Sequence, residues 1–516
     1  MSSAFLVGID IGTTSTRVTI YNLEGVQIVE AHSPHIATYP FPGWAEQDAE
    51  EWWNSVCIAS RNAMAHFPFP KNAIKGISVT SMRQSFVCLG RDMKPLRPGI
   101  LWYDTRHALQ VDWVSSNIGN KAVYKMTGSP PGRRAIYKAM WLKENEPKIY
   151  NETKYFAFIP DFVLFRLTTE LTTTPGTSFA SGCLNVSNPT QWARGFIEDC
   201  GIDPDKWIFN LQLPGKVAGY VSSEASTQTG FSIGTPIILS AGDQACGNLG
   251  IGVCRPGMLG INGGTSCALQ TPSESLPMCE DMSYFVDFSP IGNYVAENGI
   301  TSGTAALTEW FLDGFGHPEK ECSSDENELW NRLYSLVEAA PAGNMGLMLI
   351  PYLRGANGPL WDPRARGVLI GLTTSHSRPH LMRALLEGLA YESRRILESM
   401  EKGTGTQIDS IRTYGGASNS PIWNQIFADI LGRPVSVTQD TSPVSLGAAI
   451  TAGCGVGLFD NFVEAANELT KIRAEYQPNK ERFSLYNELY SQAYIKVYDQ
   501  VKEVVKTISK IITPVS

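Results

Sequence analysis

One phrase of sequence occurs twice in this chain, once in each half. Phe5-Leu6-Val7-Gly8-Ile9-Asp10-Ile11-Gly12-Thr13-Thr14-Ser15 runs an apolar strand into an acid, a glycine and a group of hydroxyls. Met258-Leu259-Gly260-Ile261-Asn262-Gly263-Gly264-Thr265-Ser266 does the same without the acid. A buried strand that ends in glycine and hydroxyls gathers unpaired N–H groups and side-chain donors at one point, which is how proteins hold phosphate oxygens. Two such turns imply two similar domains that close on a polyphosphate from opposite sides. The chain reads as a nucleotide-dependent enzyme.

At 516 residues the chain exceeds what one core supports, and two or three domains are expected. Gly, Cys, Arg and Pro break the pattern between Gly250 and Gly257, where a domain junction is placed. A net charge of -8 argues against nucleic acid as a bulk partner, because a phosphate backbone needs a basic face. Asp10 interrupts the apolar run Leu6–Ile11, no basic segment precedes it, and no other run approaches a bilayer-spanning length. No membrane partner and a cytoplasmic location are therefore expected. Ten cysteines are too sparse for a disulfide scaffold, and the nearest pair, Cys246 and Cys254, lacks metal-knuckle spacing, so all are expected as free thiols.

Alternation predicts strands at 5–11, 17–21 and 26–31, joined by hairpin-length connections. Trp52, Trp53, Val56, Cys57 and Ala63 at helical spacing predict a helix over 49–64 with Asp48 as its N-cap. Strands follow at 74–80 and 85–89. The second half repeats the theme, with strands at 258–261, 267–271 and 410–414. Helices are predicted at 303–312, 379–400, 421–431 and 445–452, and a polar-faced one at 483–512. Grouped strands followed by alternation with helices indicate an α/β fold with mixed sheets.

These motifs, taken in order, resemble the FGGY carbohydrate kinases, within the sugar kinase/actin/heat-shock-ATPase superfamily. The resemblance runs through Gly8–Ser15, Gly43-Trp44-Ala45-Glu46-Gln47-Asp48, Trp102-Tyr103-Asp104-Thr105-Arg106 and Gly242-Asp243-Gln244. It continues through Gly263-Gly264-Thr265-Ser266, Pro351-Tyr352-Leu353-Arg354-Gly355, Ala365-Arg366-Gly367-Val368 and Tyr414-Gly415-Gly416-Ala417-Ser418. It covers almost the whole chain. It implies two ribonuclease-H-like (actin/hexokinase-like) domains, 1–252 for the sugar or polyol and 253–516 for the nucleotide, with a cleft between them. The Walker A sequence of the competing nucleotide fold is absent.

By the same resemblance Asp243, at a strand end, is the base that activates the acceptor hydroxyl, and Gln244 bonds an acceptor hydroxyl. Asp10 orients Mg²⁺ through water, with Asp243 beside the same ion. Gly12, Thr13, Thr14 and Ser15 cradle the β/γ-phosphates of ATP with Arg17 behind them, and Gly264 and Thr265 match them from the second domain. Adenine maps to Gly415, Gly416, Ala417 and Ser418. Glycerol kinases place an asparagine where this chain has Ser420, with Asn419 one residue earlier. The helix carrying Ala305 and Glu309 lines the other side of the nucleotide.

The acceptor maps to Arg83 and Gln84, with Trp102 and Asp104 close by. Glycerol kinases carry Arg-Glu at the first two positions, so Gln84 removes a charge and suits a neutral chain of hydroxyls. Pro351–Asp362 resembles the xylulokinase and gluconate kinase branch instead. One signature region is also imperfect, with Ala139 in Lys138-Ala139-Met140-Trp141 where a larger apolar residue is usual. The expected partners are thus ATP and a small sugar or polyol, with a ketopentose such as xylulose or a linear polyol favoured. Glycerol kinase-like, gluconate kinase-like and autoinducer kinase-like specificities stand as alternatives, and a homodimer is left open. A non-catalytic sugar sensor would not need Asp10, Asp243 and both phosphate turns, and nothing resembles the peptide-binding domain of a chaperone-like ATPase.

Overall fold

The computed structural model describes residues 4–207, 210–362 and 364–512. Strands β1 (Phe5–Ile11), β2 (Ser15–Asn22) and β3 (Gln27–Pro34) form the antiparallel meander that the hairpin spacings predict. Helix α1 (Ala49–His66) follows; the Asp48 carboxylate accepts the Glu50 N–H at its start, and Trp52 and Trp53 are buried in the first core. Strand β4 (Ile74–Ser81) pairs parallel with β1. Beyond β5 (Val217–Tyr220), strand β6 (Pro236–Ile238) pairs parallel with β4 and leads into α2 (Asp243–Gly250). The first sheet is ordered β3-β2-β1-β4-β6-β5.

The second half builds β7 (Met258–Gly263), β8 (Cys267–Ser273), β9 (Phe285–Phe288) and β10 (Tyr294–Ile300), then helices α3 (Thr304–Phe315) and α4 (Arg378–Thr404). Strand β11 (Ser410–Tyr414), α5 (Pro421–Leu431), β12 (Val435–Thr438), α6 (Pro443–Gly455) and β13 (Ile472–Tyr476) complete it. Its sheet is ordered β9-β10-β8-β7-β11-β12-β13. From β10 onward this repeats the first sheet strand for strand, with the same succession of antiparallel and parallel pairings. The duplicated phrase is thus a duplicated domain core.

Helices α2 and α6 occupy equivalent places, after β6 and after β12, and each crosses to the other half. A Cβ at Gly447 of α6 would collide with the Cys246 carbonyl of α2, and one at Gly250 of α2 with the Pro443 carbonyl of α6. The first glycine of each repeated phrase serves the same crossing. A Cβ at Gly8 would strike the Ser445 carbonyl of α6, and one at Gly260 would strike Asn248 of α2. Glycine is required at these positions by the closeness of the opposing helix.

Residues 99–207, for which alternation and helical period gave no element, fold onto a separate core with Tyr137, Trp141, Phe156 and Trp207, joined there by Val286 and Phe288 of β9. The helix Ala135–Asn145 is buried continuously from Ala135 to Leu142, so it has no polar face to reveal a period. The long helix expected over 483–512 is two helices, Lys480–Leu489 and Ile495–Ile512, joined by a wider π turn at Tyr490–Tyr494. That turn brings the Tyr490 and Tyr494 rings to 6.2 and 4.9 Å from the Tyr391 ring. All ten cysteines are free. No described helix is long and apolar enough to cross a membrane.

Forcing a side chain into the crossing of α2 and α6 separates the two cores. Gly447→Val is expected to cost about 3 kcal/mol in urea unfolding. Gly416→Ala, where an added Cβ meets nothing within 4 Å, is expected to stay within about 0.5 kcal/mol of the parent chain.

Candidate active site

Three adjacent parallel strands, β1, β4 and β6, point their C-terminal ends at one place, where open α/β sheets gather their ligands. Asp10 lies near the end of β1, Arg83 just beyond β4, and Asp243 at the start of α2 beyond β6. The Met82 N–H donates to the Ile11 carbonyl at 2.9 Å, and Thr80 Oγ1 donates to the Ala241 carbonyl at 2.8 Å, so the three ends are tied together. Asp243 Oδ1 accepts the Gln244 N–H at 2.8 Å and lies 3.5 Å from Arg83 Nε. Its side chain keeps 25% exposure, so solvent reaches it.

Burial, and then repulsion from Asp243, push the Asp10 carboxyl up to about 7, although Arg17 opposes the rise. Burial also raises Asp243, against the pull of Arg83. Asp10 Oδ1 is buried without a hydrogen-bond partner. Two carboxylates that disfavour each other's charge, one with an orphaned oxygen, fit a divalent cation. Among the described residues no group of three or more metal-ligating side chains forms. Such a sparse donor set suits Mg²⁺, which takes one or two carboxylates and fills its octahedron with water and phosphate.

The two glycine turns are the hairpin turns of equivalent strands. Gly12 N–H donates to the Ser15 carbonyl at 3.0 Å, and Gly264 N–H to the Ser266 carbonyl at 3.2 Å. Thr14 and Thr265 stand exposed at their tips, with Thr13 and Ser15 part-buried beside Thr14. Helix α3 starts against the second turn, where Ala305 N–H meets the Gly264 carbonyl at 3.2 Å, and Glu309 lies exposed one helical turn on. Gly415 and Gly416 are exposed at the end of β11; Gly415, at φ 85°, adopts the left-handed region that glycine favours. Ala417 and Ser418 are buried, Ala417 lying against Gly263. The structure therefore brings Gly264, Thr265, Ala305, Gly415 and Gly416 to one face of the second domain.

Five of the expected side chains are engaged within the protein. Ser420 does not face that surface: it is buried, and its hydroxyl accepts the Trp423 N–H at the start of α5. Arg17 stands across from Asp10 on β2, donates to Ser442 Oγ at 3.0 Å ahead of α6 and lies 3.8 Å from Glu30, so it also ties the two halves together. Asp104 has no exposed side-chain surface; it accepts the Ala45 N–H at 2.7 Å and pairs with Arg106 Nη2 at 2.7 Å. Arg83 pairs with Glu297 of β10 at 2.7 and 2.5 Å and with Asp287 of β9. Burial opposes its charge, but Glu297 and Asp287 outweigh that and hold it firmly protonated. With Nε turned to Asp243, Arg83 keeps one N–H free.

The fifth is Gln84. In the amide orientation its neighbours dictate, it donates to the Arg133 carbonyl at 2.9 Å and accepts from Arg134 Nη1 at 2.8 Å. Its backbone sits at φ 67°, a strained conformation for a side-chain-bearing residue. The Gln244 amide oxygen is also taken, by Asn262 Nδ2 at 3.1 Å and the Tyr414 hydroxyl at 3.1 Å, which leaves its NH₂ as a donor. Trp102 is part-buried, packs edge-on against Tyr103, and donates from Nε1 to Thr13 Oγ1 at 3.3 Å, linking this wall to the phosphate turn. Sequence reading missed Asp287 and Glu297, which sit in strands far along the chain with no motif around them.

Comparison with known proteins gives the family of the chain. The N-terminal domain of the FGGY family of carbohydrate kinases matches residues 5–250, and its C-terminal domain matches residues 259–456. The chain belongs to the FGGY family of carbohydrate kinases, enzymes that transfer phosphoryl groups to sugars. An autoinducer-2 kinase of Photorhabdus laumondii is 30% identical over 504 residues, covering 94% of this chain and 93% of the relative. A gluconokinase of Bacillus subtilis is 26% identical, covering 94% of each. The crystal structure of a gluconate kinase from Lactobacillus acidophilus superposes with a TM-score of 0.88 at 24% identity, over 97% of this chain and 98% of that one.

The raised Asp10 carboxyl makes stability depend on pH. Its folded pKa of about 7 lies above the ordinary aspartate value, so between those values the folded chain binds the extra proton. Stability from this group is present at low pH and is lost as pH rises through about 7. Asp10→Asn removes the loss. Without Mg-ATP, its thermal midpoint should exceed that of the parent chain at pH 8, with the gap closing toward pH 4. A gap that ignores pH counts against Asp10 as the source.

Proposed function

We propose that this ATP-dependent carbohydrate kinase transfers the γ-phosphoryl group to a hydroxyl of a small open-chain polyol or sugar held at Asp243. The observation that carries this is the meeting of Asp10, Arg83 and Asp243 at three neighbouring strand ends, with a phosphate-type turn beside them and a second one in the facing domain. Asp243 takes the proton of the attacking hydroxyl, and its raised affinity for a proton suits it to that task near neutral pH. Arg83, locked by Glu297 and Asp287, fixes the orientation and charge state of Asp243. The N–H groups and hydroxyls of Gly12, Thr13, Thr14, Ser15, Gly264 and Thr265 meet the charge that spreads over the phosphoryl oxygens.

Asp10 and Asp243 would hold Mg²⁺, which when bound neutralises charge on the phosphates. The adenine lies along Gly415 and Gly416 with Ala305 and Glu309 opposite. On this reading 1–252 is the acceptor domain, 253–516 the nucleotide domain, and the enzyme works in the cytoplasm. The relatives named above act, by their names, on autoinducer-2 and on gluconate, so similarity alone selects no acceptor.

Asp243→Asn is expected to lower kcat by at least about a hundredfold while KM for ATP stays within about threefold. The check is coupled ADP release across ketopentoses, pentitols, glycerol, erythritol and aldonic acids. Near-normal turnover in that variant would remove Asp243 from the role of base.

A further inference from the structure

The arginine that sequence assigns to the acceptor, Arg83, has its charge cancelled by two carboxylates. Fifty residues on in the chain stands its opposite. Arg133 is part-buried, and its guanidinium has neither a hydrogen bond nor an ion pair among the described residues. Burial lowers its pKa. Removing a cation from water without pairing it is costly, so such a group persists where something else supplies the partner.

Its surroundings deepen the imbalance. Arg133 is one source of the positive field that, after burial, depresses Lys138 to about 7 and His107 to about 3. The one carboxylate entering that balance is Asp104, already paired with Arg106. Lys138 Nζ spends two protons on the Gln84 and Leu101 carbonyls, at 2.8 and 2.7 Å, and pairs with no carboxylate among the described residues. The Arg133 backbone is fastened to the same wall, since its carbonyl accepts the Gln84 amide at 2.9 Å. An unmatched guanidinium is thus built into the wall that carries Gln84, next to the strand end that carries Arg83.

We infer that Arg133 is the specificity-determining residue of the acceptor site and that the acceptor is an anionic polyhydroxylated chain, whose terminal carboxylate or phosphate pairs with this guanidinium. A planar fork of donors matches either oxyanion bidentately. This replaces the neutral chain expected from Arg83 and Gln84, whose polar groups are spent on the protein but for one Arg83 N–H. It rests on the kinase reading above, but it fixes the charge of the acceptor, which that reading leaves open.

The test uses the full-length chain and matched pairs: gluconate against sorbitol, xylonate against xylitol, and glycerol 3-phosphate against glycerol. ADP release gives kcat and KM, and calorimetry gives binding without turnover. In at least one pair the anion is expected to exceed its neutral partner by at least about tenfold in kcat/KM. The first two pairs report a carboxylate and the third a phosphate. Arg133→Gln should raise KM for that anion by at least about tenfold and shrink its preference over the neutral partner, with KM for ATP little changed; Arg133→Lys should restore part of the loss. Neutral preference in every pair, or equal losses on both members in Arg133→Gln, overturns the inference. Anion binding that depends on Arg133 without any ADP release overturns the anion as acceptor and leaves the role of Asp243 to the test of Asp243→Asn. No binding of any anion overturns it directly.

Discussion

The crossing of α2 and α6 is the contact on which the rest of this molecule depends. Each helix starts in one half and lies against the first strand of the other, over Gly8 in one case and Gly260 in the other. Backbone meets backbone there, at Gly447 against Cys246 and at Gly250 against Pro443. Interiors are packed to crystal-like density, so contacts this close define one arrangement and resist small deformations. The same two helices begin beside the chemistry. Asp243 is the first residue of α2, and Ser442, which receives Arg17, immediately precedes α6. The crossing that joins the halves therefore also anchors the helix that starts at Asp243.

Charge is arranged around that frame in unequal shares. Asp10, Asp243, Asp287 and Glu297 converge on Arg83, so one side of the site carries surplus negative charge. Arg133, Arg134 and Lys138 crowd the neighbouring wall with few carboxylates to match them. Proteins rarely leave buried charge unbalanced in both senses within one region unless ligands complete the balance. A magnesium ion on the acidic side and an oxyanion on the basic side would do so.

Reading the sequence anticipated the backbone course through the candidate site and said little of what its side chains touch. Gly12, Gly264, Gly415 and the strand that ends in Asp10 lie where the motifs put them, because glycine and hydroxyl turns are local in sequence and their geometry follows from a few residues. Arg83, Gln84, Asp104 and Ser420 also lie where expected along the backbone, yet their polar groups are spent on Glu297, Arg134, Arg106 and the Trp423 N–H. Nothing within a few residues of any of them announces those partners.

What the sequence determined by itself is the duplicated architecture, the strand ends and the two turns, since each is written in periodicity and short motifs, while the kinase reading came from the family that those motifs, in order, resemble. What the tertiary structure decided is which charges remain available. Glu297 and Asp287 lie more than two hundred residues from Arg83, and only the docking of β9 and β10 against the first domain brings them to it. That contact neutralises the arginine the motif advertises, while Arg133, which no motif marks, stands unmatched among the described residues. A side chain's chemistry is fixed by its own atoms, but its freedom to use that chemistry depends on every group the fold places within reach.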